Sequence, residues 1–201
     1  MDSRQPDLTR QRILEASFAE IHRQGFQAAS VANILTTTGL TKGALYHHFP
    51  SKKDLGLAVI DEIIAPALAE RFIKPLRETE RPARALIGLI GGKQSQSEEL
   101  IRLGCPLNNL MQEMSPVDED FRHHLNRILA HWQDAFEEAL RRAQMAGEIH
   151  REVNCHAVAL FIVSAWEGCV GIAKNMQSVD SYRACMSQLQ SYVSSLLSST
   201  G

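Results

Sequence analysis

A chain of 201 residues that is 44% hydrophobic can bury a core, with room for one large domain or a small one joined to a larger one. No stretch approaches the roughly 18 uninterrupted apolar residues of a membrane span, and the opening MDSRQPDLTRQR lacks the apolar core of a signal peptide, so a cytoplasmic protein with no membrane partner is expected. The net charge of −2 weighs weakly against nucleic acid until it is divided: residues 1–54 hold seven Lys/Arg and five Asp/Glu, residues 55–201 fourteen and eighteen, a mildly basic head on an acidic body.

In chain order the apolar residues follow a helical period and show no convincing period-two strand. A first helix over about Leu8 to Gln24 buries Ile13, Leu14, Phe18 and Ile21 and stops at Gly25. Ser30 caps a short helix carrying Val31, Ile34 and Leu35 that ends near Gly39, and Thr41 caps a second short helix carrying Leu45 and Phe49. Ser51 and Asp54 have capping-box spacing and open a longer helix, which Pro66 should kink or end. Helices are expected over 82–91 and 98–114, the latter interrupted at Gly104-Cys105-Pro106. A long amphipathic helix follows from Asp118 to Met145, closed by Gly147. Asn154 caps a helix running to Met176, and a last helix carries Tyr182, Cys185, Met186, Leu189, Tyr192, Val193 and Leu196. The serine-rich end SSLLSSTG should fray.

Two short capped helices joined by a tight turn, under a longer first helix, are the arrangement of a helix-turn-helix, here over 30–49. At about 100° per residue, Leu45 and Phe49 of the second short helix face the core, with Gly43, Ala44 and His47 opposite them. Gly43 and Ala44 are small enough for close approach to base edges, and Ala44 suits a thymine methyl. Lys42, Tyr46 and His47 offer donors to bases or phosphates. Ser30 and Thr41 bring helix N-termini with free N–H groups towards phosphate, and Lys52 and Lys53 add charge at the start of the next helix.

The stretch TRQRILEASFAEIHRQGFQAASVANILTTTGLTKGALYHHFPSKKDL resembles the N-terminal domain of the TetR/AcrR family of bacterial regulators. The resemblance rests on T-R-x-x-I-L, G-F, S-V-x-x-I-L, G-L-T-K-G-A-L-Y-H-H-F and S-K-x-D-L, in the family's order. It implies an all-α protein: a three-helix helix-turn-helix DNA-binding domain over 7–67 and a larger helical ligand-binding and dimerisation domain over 68–201. It implies DNA contacts at Ser30, Thr41, Lys42, Gly43, Tyr46, His47 and Lys53, and a body whose last two helices pair with a second subunit. Thr36-Thr37-Thr38 departs from the family pattern without altering the helix-turn spacing.

In the body, the candidate pocket residues are Cys105, Asn108, Met111, Trp132, Phe136 and Trp166; the aromatic ones serve equally well as plain core. Asn108 and Asn109 stand in an apolar stretch and need partners. The candidate dimer interface is Phe161, Ala165, Cys169, Cys185, Leu189, Tyr192, Val193 and Leu196, with Ala165, Gly168 and Gly171 small enough for close helix approach. The four cysteines lie far apart with no C-x-x-C pair, so reduced thiols are expected rather than a disulfide framework, and Cys169 and Cys185 should be shielded on apolar helix faces. The eight histidines show no metal spacing, so neither a metal nor a cofactor is expected. No nucleophile elbow, phosphate loop or catalytic carboxylate pair supports a helical enzyme, and the intact recognition helix speaks against an interaction module that has lost DNA binding. The expected partners are duplex operator DNA, a second copy and a small-molecule effector that releases a repressor. The alternatives are an activator, or a switch by thiol modification at Cys105, where the broken helix leaves amides free near Arg102.

Overall fold

The computed structural model describes residues 4–92 and 98–198. Among these the chain is helical throughout, with no strand beyond the bridge pair Ile149–Leu197, so the all-α expectation holds. It folds as two compact units: the residues up to Ala67 together with Pro106–Arg127, and Leu68–Cys105 together with the chain from Ile128 onward. The first unit therefore contains the expected head and, in addition, a later segment.

In the first unit α1 (Arg4–Gln24) ends at Gly25, whose φ of +82° is the left-handed conformation expected of a terminating glycine. Ser30 and Thr41 cap α2 (Val31–Thr38) and α3 (Lys42–His48) by accepting from the backbone N–H groups of Asn33 and Ala44. Ser51 caps α4 (Lys52–Val59), accepting from Asp54 N at 3.1 Å. Ile13, Leu14, Ile34, Leu45, Phe49, Leu55 and Val59 form the core between these helices. Phe18 is only half-buried, its ring stacked on His22.

Residues 106–127 buttress this core. They comprise α9 (Pro106–Met114) and the start of α10 (Glu119–Met145). The Glu113 carboxylate accepts from the backbone N–H groups of Phe26 and Gln27, each at 2.8 Å, so it holds the turn after α1. Phe121 packs on Phe26 with ring centroids 4.5 Å apart. Both rings close over Gly56, where a Cβ would come within 2.5 Å of Phe26 Cε2 and 2.8 Å of Phe121 Cζ.

Pro66 does not end the helix. Helical backbone runs on through a π segment (Ile60–Ile64), α5 (Ala65–Leu68), a second π segment (Ala69–Ile73) and α6 (Lys74–Arg77). Each π segment leads into a proline: Ala65 N–H donates to Ile60 O just before Pro66, and Lys74 N–H to Ala69 O just before Pro75. Widening the ladder to i→i−5 ahead of the ring removes the bond that proline cannot make and gives the ring room.

The second unit contains α6, α7 (Pro82–Gly91), α8 (Glu98–Leu103), the remainder of α10, α11 (Cys155–Met176) and α12 (Val179–Ser194). The expected break before Pro106 is present, with Gly104 at φ +80°. α11 packs against α12 and α8, and α12 against α7. Two expectations fail here. Cys169 of α11 and Cys185 of α12 form a disulfide, Cα–Cα 5.6 Å, because the two helices pack side by side and bring residues 16 apart into register. Cys185 is also exposed rather than shielded. The tail does not fray as far as Ser198: His150 N–H donates to Leu196 O at 3.0 Å and Ser198 N–H to Glu148 O at 2.9 Å. Residues 199–201 lie outside the described part.

Candidate nucleic-acid interface

The recognition helix is set by two anchors and one cap. Leu45 and Phe49 point into the core, 0% and 2% exposed, which turns the opposite side of α3 outward. The Arg10 guanidinium lies 4.8 Å from the Phe49 ring centroid and pairs with both carboxylate oxygens of Glu62 (Nη2–Oε1 2.7 Å), lowering the Glu62 pKa through that hydrogen-bonded pair. α2 is fixed at both ends. Buried Glu20 accepts from Ser30 N–H at 3.1 Å and Asn33 Nδ2 at 2.9 Å, and Arg12 donates to the Thr38 carbonyl at 2.8 Å.

Thr41, Lys42, Gly43 and His47 are exposed on α3; Ala44, Tyr46 and His48 are half-buried. Lys42 Nζ lies 5.8 Å from the Tyr46 ring centroid. A Cβ on Gly43 would meet only Thr41 Oγ1, at 3.9 Å, so nothing inside this chain requires a glycine there. The result is a flat, donor-bearing helix face suited to a base-edge surface in a major groove.

Lysines 52 and 53 both have partners within the chain. Lys53 Nζ pairs with Asp118 Oδ2 at 2.8 Å and Asp120 Oδ2 at 2.7 Å, which raise its pKa by hydrogen bonding and lower that of Asp118. Lys52 Nζ donates to the Gln27 carbonyl at 3.0 Å and sits over the Phe26 ring. Both charges fasten α4 to its neighbours, and Lys53 is flanked by carboxylates that repel phosphate. The Lys53 pairs join residues 65 and 67 apart and leave no signal in local sequence.

The candidate pocket residues divide between the units. Cys105, Trp132, Phe136 and Trp166 belong to the second and are all buried. Asn108 and Met111 belong to α9 of the first and are half-buried, with Asn108 Oδ1 accepting from Gln112 Nε2 at 3.5 Å. In the second unit Phe72, which sequence reasoning missed, stacks on Trp132 (4.7 Å) and meets Trp166 edge-on (5.1 Å). Glu167 of α11, also missed, is buried, with Cys105 and Arg71 acting on its carboxyl. A carboxylate within an otherwise apolar helix was the available signal.

The interface candidates also separate. Cys169, Leu189 and Val193 are buried within the subunit, and Ala165 and Leu196 half-buried. They pack the protomer's own helices, because the last helix uses its apolar stripe against α7 and α11. On α11 and α12 the exposed large apolar side chains are Phe161 and Tyr192, whose rings meet at 4.9 Å, with Leu160, Ile172 and Met176. Nothing lies within 4 Å of a Cβ on Gly168 or Gly171.

A short exposed helix, held by a capped partner under a longer first helix, is a helix-turn-helix, the module of DNA-binding transcription regulators. Residues 13–59 match the family model for bacterial regulatory proteins of the tetR family, and residues 82–189 that for a tetracyclin repressor-like C-terminal domain. The chain belongs to the TetR family of transcriptional regulators. It is 29% identical over 174 residues to the transcriptional regulator AcuR of Cereibacter sphaeroides, covering 83% of this chain and 77% of that protein. It is 25% identical over 183 residues to the transcriptional repressor DhaR of Mycobacterium sp. (strain GP1), covering 86% and 87%. A crystal structure of a regulatory protein TetR from Rhodobacter sphaeroides superposes with a TM-score of 0.81 at 27% identity, covering 92% of this chain and 98% of that one.

Proposed function

We propose that the chain is an operator-binding repressor that acts as a homodimer and is released from DNA by a small molecule held in the second unit. The observation that carries it is the outward face of α3, where Thr41, Lys42, Gly43 and His47 stand exposed over an anchored Leu45 and Phe49. The name of DhaR supports repression as the sign of regulation. The exposed stripe of Phe161, Ile172 and Tyr192, with open backbone at Gly168 and Gly171, supports pairing with a second copy through α11 and α12.

In a dimer, two α3 helices meet half-sites about one turn of DNA, roughly 34–36 Å, apart. The boundary between the units crosses helical backbone twice, at Ala67–Leu68 and at Arg127–Ile128 in α10. A ligand that favours another spacing would act through those helices, and a coupling of about 1–3 kcal/mol suffices.

A gel-shift series with the chain's own upstream DNA tests this reading. Binding should be sequence-specific and fall steeply with salt, and Lys42→Ala should flatten the log-affinity against log-salt slope by about one unit. Salt-insensitive binding, or an unchanged slope, would refute α3 as the reading helix. A switch by thiol modification at Cys105 gains no support: Cys105 is 8% exposed and lies beside the Glu167 carboxylate.

A further inference from the structure

The second unit contains a covalent bond that its packing does not require. Tyr182, Met186, Leu189 and Val193 already bury the inner stripe of α12, which packs against α7 and α11. Bridges that hold a fold together belong mostly to small secreted domains with too little core. A transcription regulator works beside the chromosome, where low-molecular-weight thiols keep most cysteines reduced and the bridges that do form are usually transient. The Cys169–Cys185 bridge therefore has to be explained by what differs between its closed and open states.

The two ends of the bridge stand in different surroundings. Cys169 is 3% exposed, whereas Cys185 is exposed. A thiolate attacks the disulfide sulfur that it can reach, so Cys185 is the point of entry and Cys169 the leaving group. Position matters as well. Cys185 lies seven residues before Tyr192 on α12 and Cys169 eight after Phe161 on α11, about two turns along the seam where those two rings meet. A Cβ on Gly168, next to Cys169, would meet nothing within 4 Å, and Ile172 is 60% exposed. The bridge thus fixes the register of α11 against α12 along the exposed apolar face.

We propose that Cys185 is a site of thiol–disulfide exchange with low-molecular-weight thiols, and that opening its bridge to Cys169 weakens the pairing of two copies. The inference rests on the pairing through α11 and α12 put forward above and gives that pairing a control. In the opening step a small thiolate bonds to Cys185 Sγ and the bond to Cys169 breaks. The Cys169 sulfur leaves with the electron pair and takes up the proton that the small thiol gave up. A second thiol then attacks the added sulfur of the mixed disulfide, freeing the Cys185 thiol and a small-molecule disulfide. Two electrons pass from two small thiols to the bridge, and the small disulfide closes it again by the same steps in reverse. With the bridge closed, Phe161, Ile172 and Tyr192 are held as one preorganised face; with it open, association must order that face first.

The test uses the full chain with glutathione as the small thiol. Alkylation under denaturing conditions should mark only Cys105 and Cys155 before treatment, and all four cysteines after the folded protein has met millimolar glutathione. Mass spectrometry of the trapped intermediate should place glutathione on Cys185. Sedimentation should give a dimer dissociation constant about tenfold higher for the reduced chain than for the bridged one, with operator affinity falling in parallel. Cys185→Ser should match the reduced wild type and ignore glutathione, and the comparison of the two wild-type forms stands whether or not that variant folds. A bridge that resists glutathione until the chain unfolds, glutathione on Cys169 alone, or equal dimerisation of the bridged and reduced forms would overturn the proposal. A chain monomeric in both forms, with glutathione still found on Cys185, would refute the pairing while supporting the exchange site.

Discussion

At the scale of single residues, Gly43 separates what the fold needs from what DNA needs. Glycine lowers helix stability relative to alanine, and the only atom near its missing Cβ is Thr41 Oγ1 at 3.9 Å. Gly43→Ala should therefore raise thermal stability slightly, by about 0.5–1 kcal/mol, while weakening operator binding through steric exclusion from the groove. Thermal melts and gel shifts on one preparation check both halves, and unchanged affinity would remove Gly43 from the interface. Lys53 gives the reverse case. Tied to Asp118 and Asp120, it should leave the salt slope unchanged when replaced by alanine, in contrast to Lys42.

Glu167 is the residue with a pH signature. Its folded pKa of about 7 lies above the ordinary value of 4.5, so the folded state holds the proton more tightly than the unfolded one. This group's contribution to stability therefore falls as pH rises from about 4.5 through about 7, and is level above that. Glu167→Gln removes the ionisable group. The variant should be more stable than wild type by up to about 3 kcal/mol at pH 8, with the gap closing towards pH 4.5. Denaturant melts at three pH values measure this, and a constant gap would show that Glu167 is not a desolvated acid.

At the scale of elements, α11 and α12 each carry two apolar faces with different duties. Leu189 and Val193 are buried within the subunit, while Phe161 and Tyr192 form an exposed ring pair. Phe161→Glu with Tyr192→Glu should give a folded monomer with operator binding lost, because one half-site cannot hold the chain. Leu189→Glu should instead unfold the second unit, since it forces a charge into a packed core. Gel filtration with circular dichroism distinguishes the outcomes, and a folded dimer after the first pair of changes would move the interface elsewhere. The periodicity of the last helix marked an apolar stripe, of which Tyr182, Met186, Leu189 and Val193 are buried within the subunit while Cys185 and Tyr192 are exposed. It could not say whether the burying surface was the same subunit or another.

At the scale of the molecule, the head is not an isolated module. Glu113 holds the Phe26 turn, Lys53 pairs with Asp118 and Asp120, and Asp61 pairs with His124 (2.9 Å) and Arg127 (2.6 Å). Phe121 covers the Gly56 face. An isolated peptide of residues 1–67 should expose that face and melt at a lower temperature and less cooperatively than the head within the full chain. Differential scanning calorimetry of the peptide tests this. A sharp transition at the full-chain temperature would show that residues 106–127 are dispensable.

The sequence by itself determined the helices, their caps and the outward face of α3. Ser30, Thr41, Ser51 and Asn154 act through bonds to backbone three residues away, and Leu45 with Phe49 through a local period; such signals lie within one or two turns. What only the tertiary structure decided were the pairings over long separations. The Cys169–Cys185 bridge needs α11 beside α12, and the role of Lys53 needs the start of α10 beside α4. Whether Pro66 would kink or end the helix was decided by the π segment that precedes it, and a second precedes Pro75. The burial that raises the Glu167 pKa follows from how a whole unit packs. A residue's partners depend on which surfaces the chain brings together, and that is fixed by the total burial of apolar area rather than by any one stretch of sequence.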